Sequence, residues 1–328
     1  MRDVLVFARR VGFYLIAAFA AVTLDFFIPR MVPGDPVLTA LGQMKTAPPE
    51  AYEALKLQFG LDTDSSLWDQ YLHFWNMLLH GDLGYSMSLG NAPVTEIISQ
   101  HIWWTVILVG IATVISFVIG TVVGTIAAWK RGSWVETLLP VTTFLQAMPY
   151  FFLATLLVLV FSVHLGWFPA IDGYDYLNST IGWNWPFIKD AIYHGVLPAA
   201  TIVIASLAGW IIGMRNMMVT VRDEDYVLLA EAAGLPQRRV MWYAARNAIL
   251  PQMSSFAMAL SFVVAGSVLT EIVFSYPGIG FTLLAAVKSL DYTLVQGIFL
   301  VITMVVLVAN LAADVLYVFL DPRTRREA

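Results

Sequence analysis

Long apolar stretches separated by short polar ones set the first expectation. Apolar runs occupy residues 11–28, 103–129, 137–163, 196–219, 253–274 and 294–320. As an α-helix each can cross about 30 Å of hydrocarbon at about 1.5 Å per residue. The pattern predicts an all-α integral membrane protein with six transmembrane helices. Pro140, Pro149 and Pro198 fall inside these runs and predict kinks or helix ends. Residues 29–101 form the longest polar region. Within it Pro33-Gly34-Asp35-Pro36 predicts a turn. Residues 51–59 and 68–79 carry helical periodicity, so a small helical subdomain outside the membrane is expected between the first two spans.

Composition agrees. The 328 residues are 59% hydrophobic and 12% charged, with mean hydropathy +0.74, against about 25% charged in soluble proteins. The absence of cysteine excludes disulfides and thiolate metal sites. Arg2, Arg9, Arg10 and the following apolar run also fit a signal peptide, with Ala18-Phe19-Ala20 resembling a cleavage site. The run continues past that point, which favours an uncleaved first span. With both termini placed in the cytoplasm, thirteen of the eighteen Lys and Arg residues fall on the cytoplasmic side, the asymmetry expected of inner-facing segments.

On this topology one polar island, residues 225–251, lies in the cytoplasm. Asp223, Glu224 and Asp225 precede an alanine-rich run. Acids suit the positive end of a helix, and Asp225 is the expected cap. Gly234 is expected to end that helix in a left-handed conformation, and Pro236 to open the next one. Arg238, Arg239 and Arg246 load the second helix with positive charge. The small side chains Ala230, Ala232 and Ala233 suit docking into a groove on another protein; a cytoplasmic loop that touches nothing is the alternative.

Chemistry-bearing motifs are scarce. There is no GxxxxGK[ST] phosphate loop, no HExxH and no GxSxG. His73 and His80, seven apart, are the one weak pair of candidate ligands, and no metal site is expected. Asp25, Arg215, Glu271 and Asp314 sit in or near apolar runs, where charges face a cavity or a partner. Arg215 suits the cytoplasmic interface. Glu271 reads as structural before substrate-binding. The aromatic loop at 164–195 fits either an interfacial belt or a contact surface for substrate or a docking protein. Trp210, Asn216, Glu271 and Asn310, polar or aromatic residues on the last three spans, are candidates to line a pathway.

A series of motifs in order resembles the first membrane subunit of dipeptide/oligopeptide/nickel-class ATP-binding cassette importers. They are Pro33-Gly34-Asp35-Pro36, Phe59-Gly60-Leu61-Asp62, Gln70-Tyr71, Gly81-Asp82-Leu83-Gly84 with Ser86, Gly166-Trp167-Phe168-Pro169, and Leu197-Pro198-Ala199. Asp225-Tyr226-Val227 with Gly234, then Arg246-Asn247-Ala248-Ile249-Leu250-Pro251, Glu271 with Val273-Phe274, Tyr276-Pro277-Gly278-Ile279-Gly280 and Asp321-Pro322-Arg323 complete the series. The chain departs from the pattern in two places. Leu229-Ala230-Glu231-Ala232-Ala233 stands where relatives usually carry basic residues, and the proline usual soon after Gly60-Leu61-Asp62 is missing.

The resemblance implies a type I importer permease core of five helices at 102–320, preceded by the first span at 1–28 and the external subdomain at 29–101. A coupling helix–turn–helix would lie at 222–251 and a cytoplasmic tail at 321–328. Asp225, Tyr226, Ala230, Glu231, Ala232, Ala233, Gly234, Arg238 and Arg246 would contact an ATPase subunit. The implied partners are a second homologous permease subunit, two ATPase subunits that use ATP and Mg, an external solute-binding protein and the bilayer; nucleic acid is not among them. The chain itself would be non-catalytic and hold no cofactor. It would sit in a bacterial or archaeal cell (inner) membrane. Di- and oligopeptides are the expected cargo, with oligosaccharides such as cellodextrins next and nickel after them. A self-contained channel or secondary transporter is the alternative class, but the inverted repeats it would favour are not found.

Overall fold

A computed structural model describes residues 2–31, 66–130, 137, 139–261, 263 and 268–320. The described residues are helical apart from connecting turns and one isolated bridge between Tyr85 and Pro93. The expected turn at 33–36 and helix at 51–59 lie outside them. The helices are α1 (Arg2–Met31), α2 (Leu67–Leu79), α3 (Val94–Trp129), α4 (Leu139–Ala147), α5 (Tyr150–Leu157), α6 (Trp185–Arg222), α7 (Asp225–Ala232), α8 (Gln237–Ser261), α9 (Val268–Val273), α10 (Ile279–Lys288) and α11 (Tyr292–Leu320).

Among the described residues, four helical segments are long and apolar enough to cross a membrane: Arg9–Ile28, Val94–Trp129, Trp185–Arg222 and Tyr292–Ala312. A fifth is reached if α4 and α5 with its extension, Leu139–Ala147 and Tyr150–His164, count as one span bent by 107°. The six-span expectation is therefore met in part. The run expected at 253–274 is divided between the end of α8 and the six-residue α9, with residues 262 and 264–267 outside the described set. Pro149 explains the bend, because it precedes α5 and cannot continue α4 through a backbone N–H. Pro198, expected to kink or end its helix, lies inside the continuous α6. The last turns of α5 widen into a π-helix, Val158–His164, where the Leu165 N–H bonds the Val160 carbonyl at 3.0 Å.

The chain divides into two compact units. The first comprises Met1–Trp104 and Pro277–Ala328. In it α1 packs along α11, and α2 lies on α1 through aromatic contacts: Tyr71 meets Phe26 edge-on and Phe19 stacks on Trp75. Val94, Ile97 and Ile98 at the start of α3 pack with Ile279 and Ala286 of α10 and Leu294, Val295 and Ile298 of α11. Asp291 fastens the loop before α3 to this core. It is fully buried, and its carboxylate accepts from Ser86 Oγ at 2.5 Å, Ser88 N–H at 2.9 Å and Ser88 Oγ at 2.8 Å, and caps α11 through the Leu294 N–H at 3.1 Å. Asp291→Ala leaves a buried hydroxyl, a half-buried one and a helix start unpaired, and bonds to a charged acceptor are worth about 1.5–3 kcal/mol each. A thermal melt of the purified chain is expected to drop by several degrees, with Asp291→Asn intermediate; an unchanged melt would mean the loop holds without this carboxylate.

The second unit is Thr105–Tyr276. Its centre is α6, against which α4, α5, α8 and α9 all pack. The rest of α3 joins it through Gly120 and Gly124, four residues apart. A methyl group at Gly120 would collide with the Trp210 side chain, and one at Gly124 would lie 2.5 Å from the Ile211 carbonyl and 2.9 Å from Met214 Cβ. Small residues at this spacing allow two apolar helices to approach backbone to backbone.

Candidate functional site

Two connected features of the second unit carry the site: the helix–turn–helix of α7 and α8, and the buried layer beneath it. α7 has eight residues, too few for a helix to persist alone in water. Packing holds it in place. Val227 is 0% exposed and joins Ala128, Met214, Met218, Val240, Ala244, Ala245 and Ala248 in one cluster, with Ala230 and Leu235 at its edge. Alanines on α8 matter here because small side chains let the short helix lie close to α8.

The turn between α7 and α8 is closed by hydrogen bonds. Gly234 adopts φ +76°. Its N–H bonds the Glu231 carbonyl at 2.9 Å, and the Leu235 N–H reaches back to the Ala230 carbonyl at 3.2 Å. This is the Schellman pairing that satisfies a helix's last carbonyls. The Arg239 N–H then bonds the Pro236 carbonyl at 2.7 Å as α8 begins. At the other end the expectation needs correction. Glu224, not Asp225, is the N-cap, and no side chain caps the helix; Asp225 is its first helical residue, so the acids contribute through the helix dipole alone.

Two side-chain bonds tie the helices together. Asn247 Nδ2 donates to the Tyr226 hydroxyl at 3.0 Å, and Gln237 Nε2 donates to Glu231 at 3.4 Å. Asn247 and Gln237 were not among the expected site residues. The only sequence signal was position: Gln237 lies six and Asn247 21 residues beyond its partner, across a predicted turn.

Part of the outward surface of α7 is apolar. Leu229 is 70% exposed and Leu228 50%, with Ala232 and Ala233 exposed beside them. Arg238, Arg239 and Arg246 line an open groove of about 680 Å³ with Trp242 and Tyr243, between α8 and the Thr121–Ile126 stretch of α3. Asp225, Tyr226, Ala230, Glu231, Ala232, Ala233, Gly234, Arg238 and Arg246 therefore share one continuous two-helix feature.

Of the four pathway candidates, Trp210, Asn216 and Glu271 lie in the second unit and Asn310 in the first. Trp210, on α6, meets Phe117 edge-on and Phe256 at 6.3 Å. Asn216 is exposed two turns further along α6. Glu271 is 0% exposed; it accepts from Thr105 Oγ1 at 2.8 Å, and its carbonyl accepts from the Tyr276 N–H at 2.8 Å. Asn310 is half-buried on α11, in the other unit.

The aromatic loop is ordered by its own polar groups. Asp175 accepts from the Asn178 amide at 2.7 Å and the Leu177 N–H at 2.9 Å, and these bonds, the amide's first, hold its carboxyl below the ordinary aspartate range. The Asp172 N–H bonds the Phe274 carbonyl at 2.8 Å, so the loop is joined to the residue that follows α9. Trp183 is 99% exposed at its tip. Among the histidines, His80 bonds the Asn76 carbonyl at 2.7 Å and His101 the Pro277 carbonyl at 2.8 Å.

Comparison with known proteins shows the family. Residues 120–326 match the family described as binding-protein-dependent transport system inner membrane component. The chain is 34% identical to the dipeptide transport system permease protein DppB of Escherichia coli K12, over 97% of this chain and 98% of that one. It is 35% identical to the di/tripeptide transport system permease protein DppB of Pseudomonas aeruginosa, over 98% of each. It is 31% identical to the oligopeptide transport system permease protein AppB of Bacillus subtilis, over 92% of each.

Proposed function

This chain belongs to the family of inner membrane components of binding-protein-dependent transport systems, and on that footing we propose that it is the permease subunit of an ATP-driven peptide importer. Near-complete alignment with permeases named for dipeptides, di/tripeptides and oligopeptides supports peptide as the cargo. Oligosaccharide and nickel gain nothing from these relatives. The chain forms half of the translocation path with a homologous second permease subunit, and a solute-binding protein delivers cargo on the outer side. Both termini are cytoplasmic.

The observation that carries the mechanism is α7. It is anchored inward by Val227, locked at its end by Gly234 and clipped to α8 by Asn247, while Leu228 and Leu229 face outward. An exposed pair of leucines on a short, fixed helix at an aqueous surface has the properties of a docking ridge. A groove on each of two cytoplasmic ATPase subunits receives one such ridge. Closing of the ATPases moves α7, and α8 and α6 carry that displacement into the spans because α7 packs directly on both. ATP and Mg belong to the partners.

The test is reconstitution. The assembled importer in proteoliposomes, given its solute-binding protein, internal ATP and labelled tri-alanine, is expected to accumulate the peptide. Uptake that persists without the ATPase subunits would favour a self-contained transporter instead.

A further inference from the structure

The bend between α4 and α5 poses a problem that the rest of the fold does not solve. It brings a 107° break into an apolar span, and α5 opens at Pro149 without a side-chain cap. The described residues leave the corner open: Phe144 is 67% exposed, and Gln146, Ala147, Tyr150, Phe151 and Phe152 are exposed too. Broken backbone at membrane depth is stable only against protein or water, because lipid tails satisfy no polar group.

The surface beside the corner indicates which. Gln146 lies against Gly209 of α6: its Nε2 would be 3.3 Å from a methyl placed there. One turn further, Gly213 makes room for Gln252 of α8, whose amide a methyl at 213 would strike. Gly209 and Gly213 belong to a small and polar stripe, Ser206, Gly209, Gly213, Asn216 and Thr220, spaced three and four apart on one face of α6. Gln252 is 7% exposed, and its amide is not among the fully sealed, unpaired polar groups of the described residues. An amide that is not sealed off can exchange hydrogen bonds with water or with a solute beside it.

We propose that Gln146, Gln252 and Asn216, set along the Gly209–Gly213 face of α6, line the water-filled path and hydrogen-bond the backbone of the peptide in transit. Each amide offers a donor and an acceptor, as a peptide bond does. All three are neutral, so they grip the main chain without selecting the charge of its side chains. The glycines leave space for an extended chain to pass. This substrate assignment rests on the peptide-importer reading above.

The native chain contains no cysteine, so single cysteines report cleanly. In the assembled importer in membrane vesicles, Gln146→Cys, Gly209→Cys and Asn216→Cys are expected to react with a charged, membrane-impermeant methanethiosulfonate. Leu15→Cys and Ile16→Cys, at exposed apolar positions of α1, are expected to stay unmodified. Tri-alanine with its binding protein and ATP is expected to slow the reaction at 146 and 216. Gln252→Leu is expected to lower tri-alanine uptake about fivefold, the effect of one lost hydrogen bond, with Gln252→Asn recovering part of it and ATP hydrolysis retained. Stripe cysteines as unreactive as the α1 controls, in an importer that still takes up peptide, would mean that the second permease subunit or lipid covers this face, and would overturn the inference alone. Labelling that tri-alanine leaves unchanged overturns the backbone contact. A wild-type assembly that takes up no peptide overturns the functional reading and the substrate assignment with it.

Discussion

Peptide uptake is expected to fall by more than tenfold in Gly234→Pro, with the ATPase subunits no longer co-purifying and the chain still inserted in the membrane. Gly234 sits at φ +76° and donates its N–H to the Glu231 carbonyl. Proline fixes φ near −65° and has no N–H, so both features are lost at once. Backbone strain of this kind costs about 1–3 kcal/mol, and the Leu235 to Ala230 bond depends on the same turn. An eight-residue helix anchored by Val227 has little else to hold its end. The exposed leucines would then lose their fixed direction, and a docking ridge that points in many directions transmits no displacement. Gly234→Asn supplies the control. Asparagine tolerates the left-handed region better than other side chains and keeps the N–H, so uptake within a few-fold of wild type is expected. Glu231→Arg combined with Gly234→Pro should be no better than the proline alone. Wild-type uptake and intact co-purification in the proline variant would show that the turn does not couple to the ATPases.

Gly120→Leu with Gly124→Leu is expected to remove the protein from the membrane fraction or lower its thermal midpoint in detergent by ten degrees or more. At Gly124 the obstacle is the backbone carbonyl of Ile211, which no rotamer change can move, and at Gly120 it is the base of the Trp210 side chain. Overpacking a tight contact costs about 1–3 kcal/mol per site, and these two sites share one helix interface. α6 would be displaced from α3, and the second unit is built on α6. Ala at either position gives a graded result, since even one methyl collides. Folding at normal levels with a normal melt would mean that the close α3–α6 approach is dispensable.

These two sites were unequally legible. The α7–α8 turn could be read directly: an acidic start, an alanine-rich run, a glycine, then proline and arginines form a local code, and the backbone follows it. Only the capping assignment moved, by one residue, because the side chain that precedes the helix makes no cap bond. The Gly120–Gly124 pair was written in the chain just as plainly but lay inside an apolar run, where hydropathy dominates the pattern and hides spacing. Local sequence could not have found the Asn247 to Tyr226 bond or the staple from Asp291 to Ser86 and Ser88, since these join residues 21 to 205 positions apart. Proline gave mixed guidance. Pro149 breaks its span, whereas Pro198 is absorbed within α6, where surrounding packing holds the helix. The run at 253–274 was apolar enough to suggest a plain span, and residues 262 and 264–267, which join α8 to α9, lie outside the described set.

Leu229 tests the central claim most directly, because it is the most exposed apolar side chain on α7. A single cysteine there, in the otherwise cysteine-free chain, can be challenged in intact cells with an impermeant thiol reagent and in purified importer with a short bifunctional cross-linker. The account expects protection from the reagent in intact cells, and a cross-link to an ATPase subunit whose yield changes when ATP is added. Labelling from outside the cell, or a purified importer in which residue 229 joins no ATPase subunit, would contradict it.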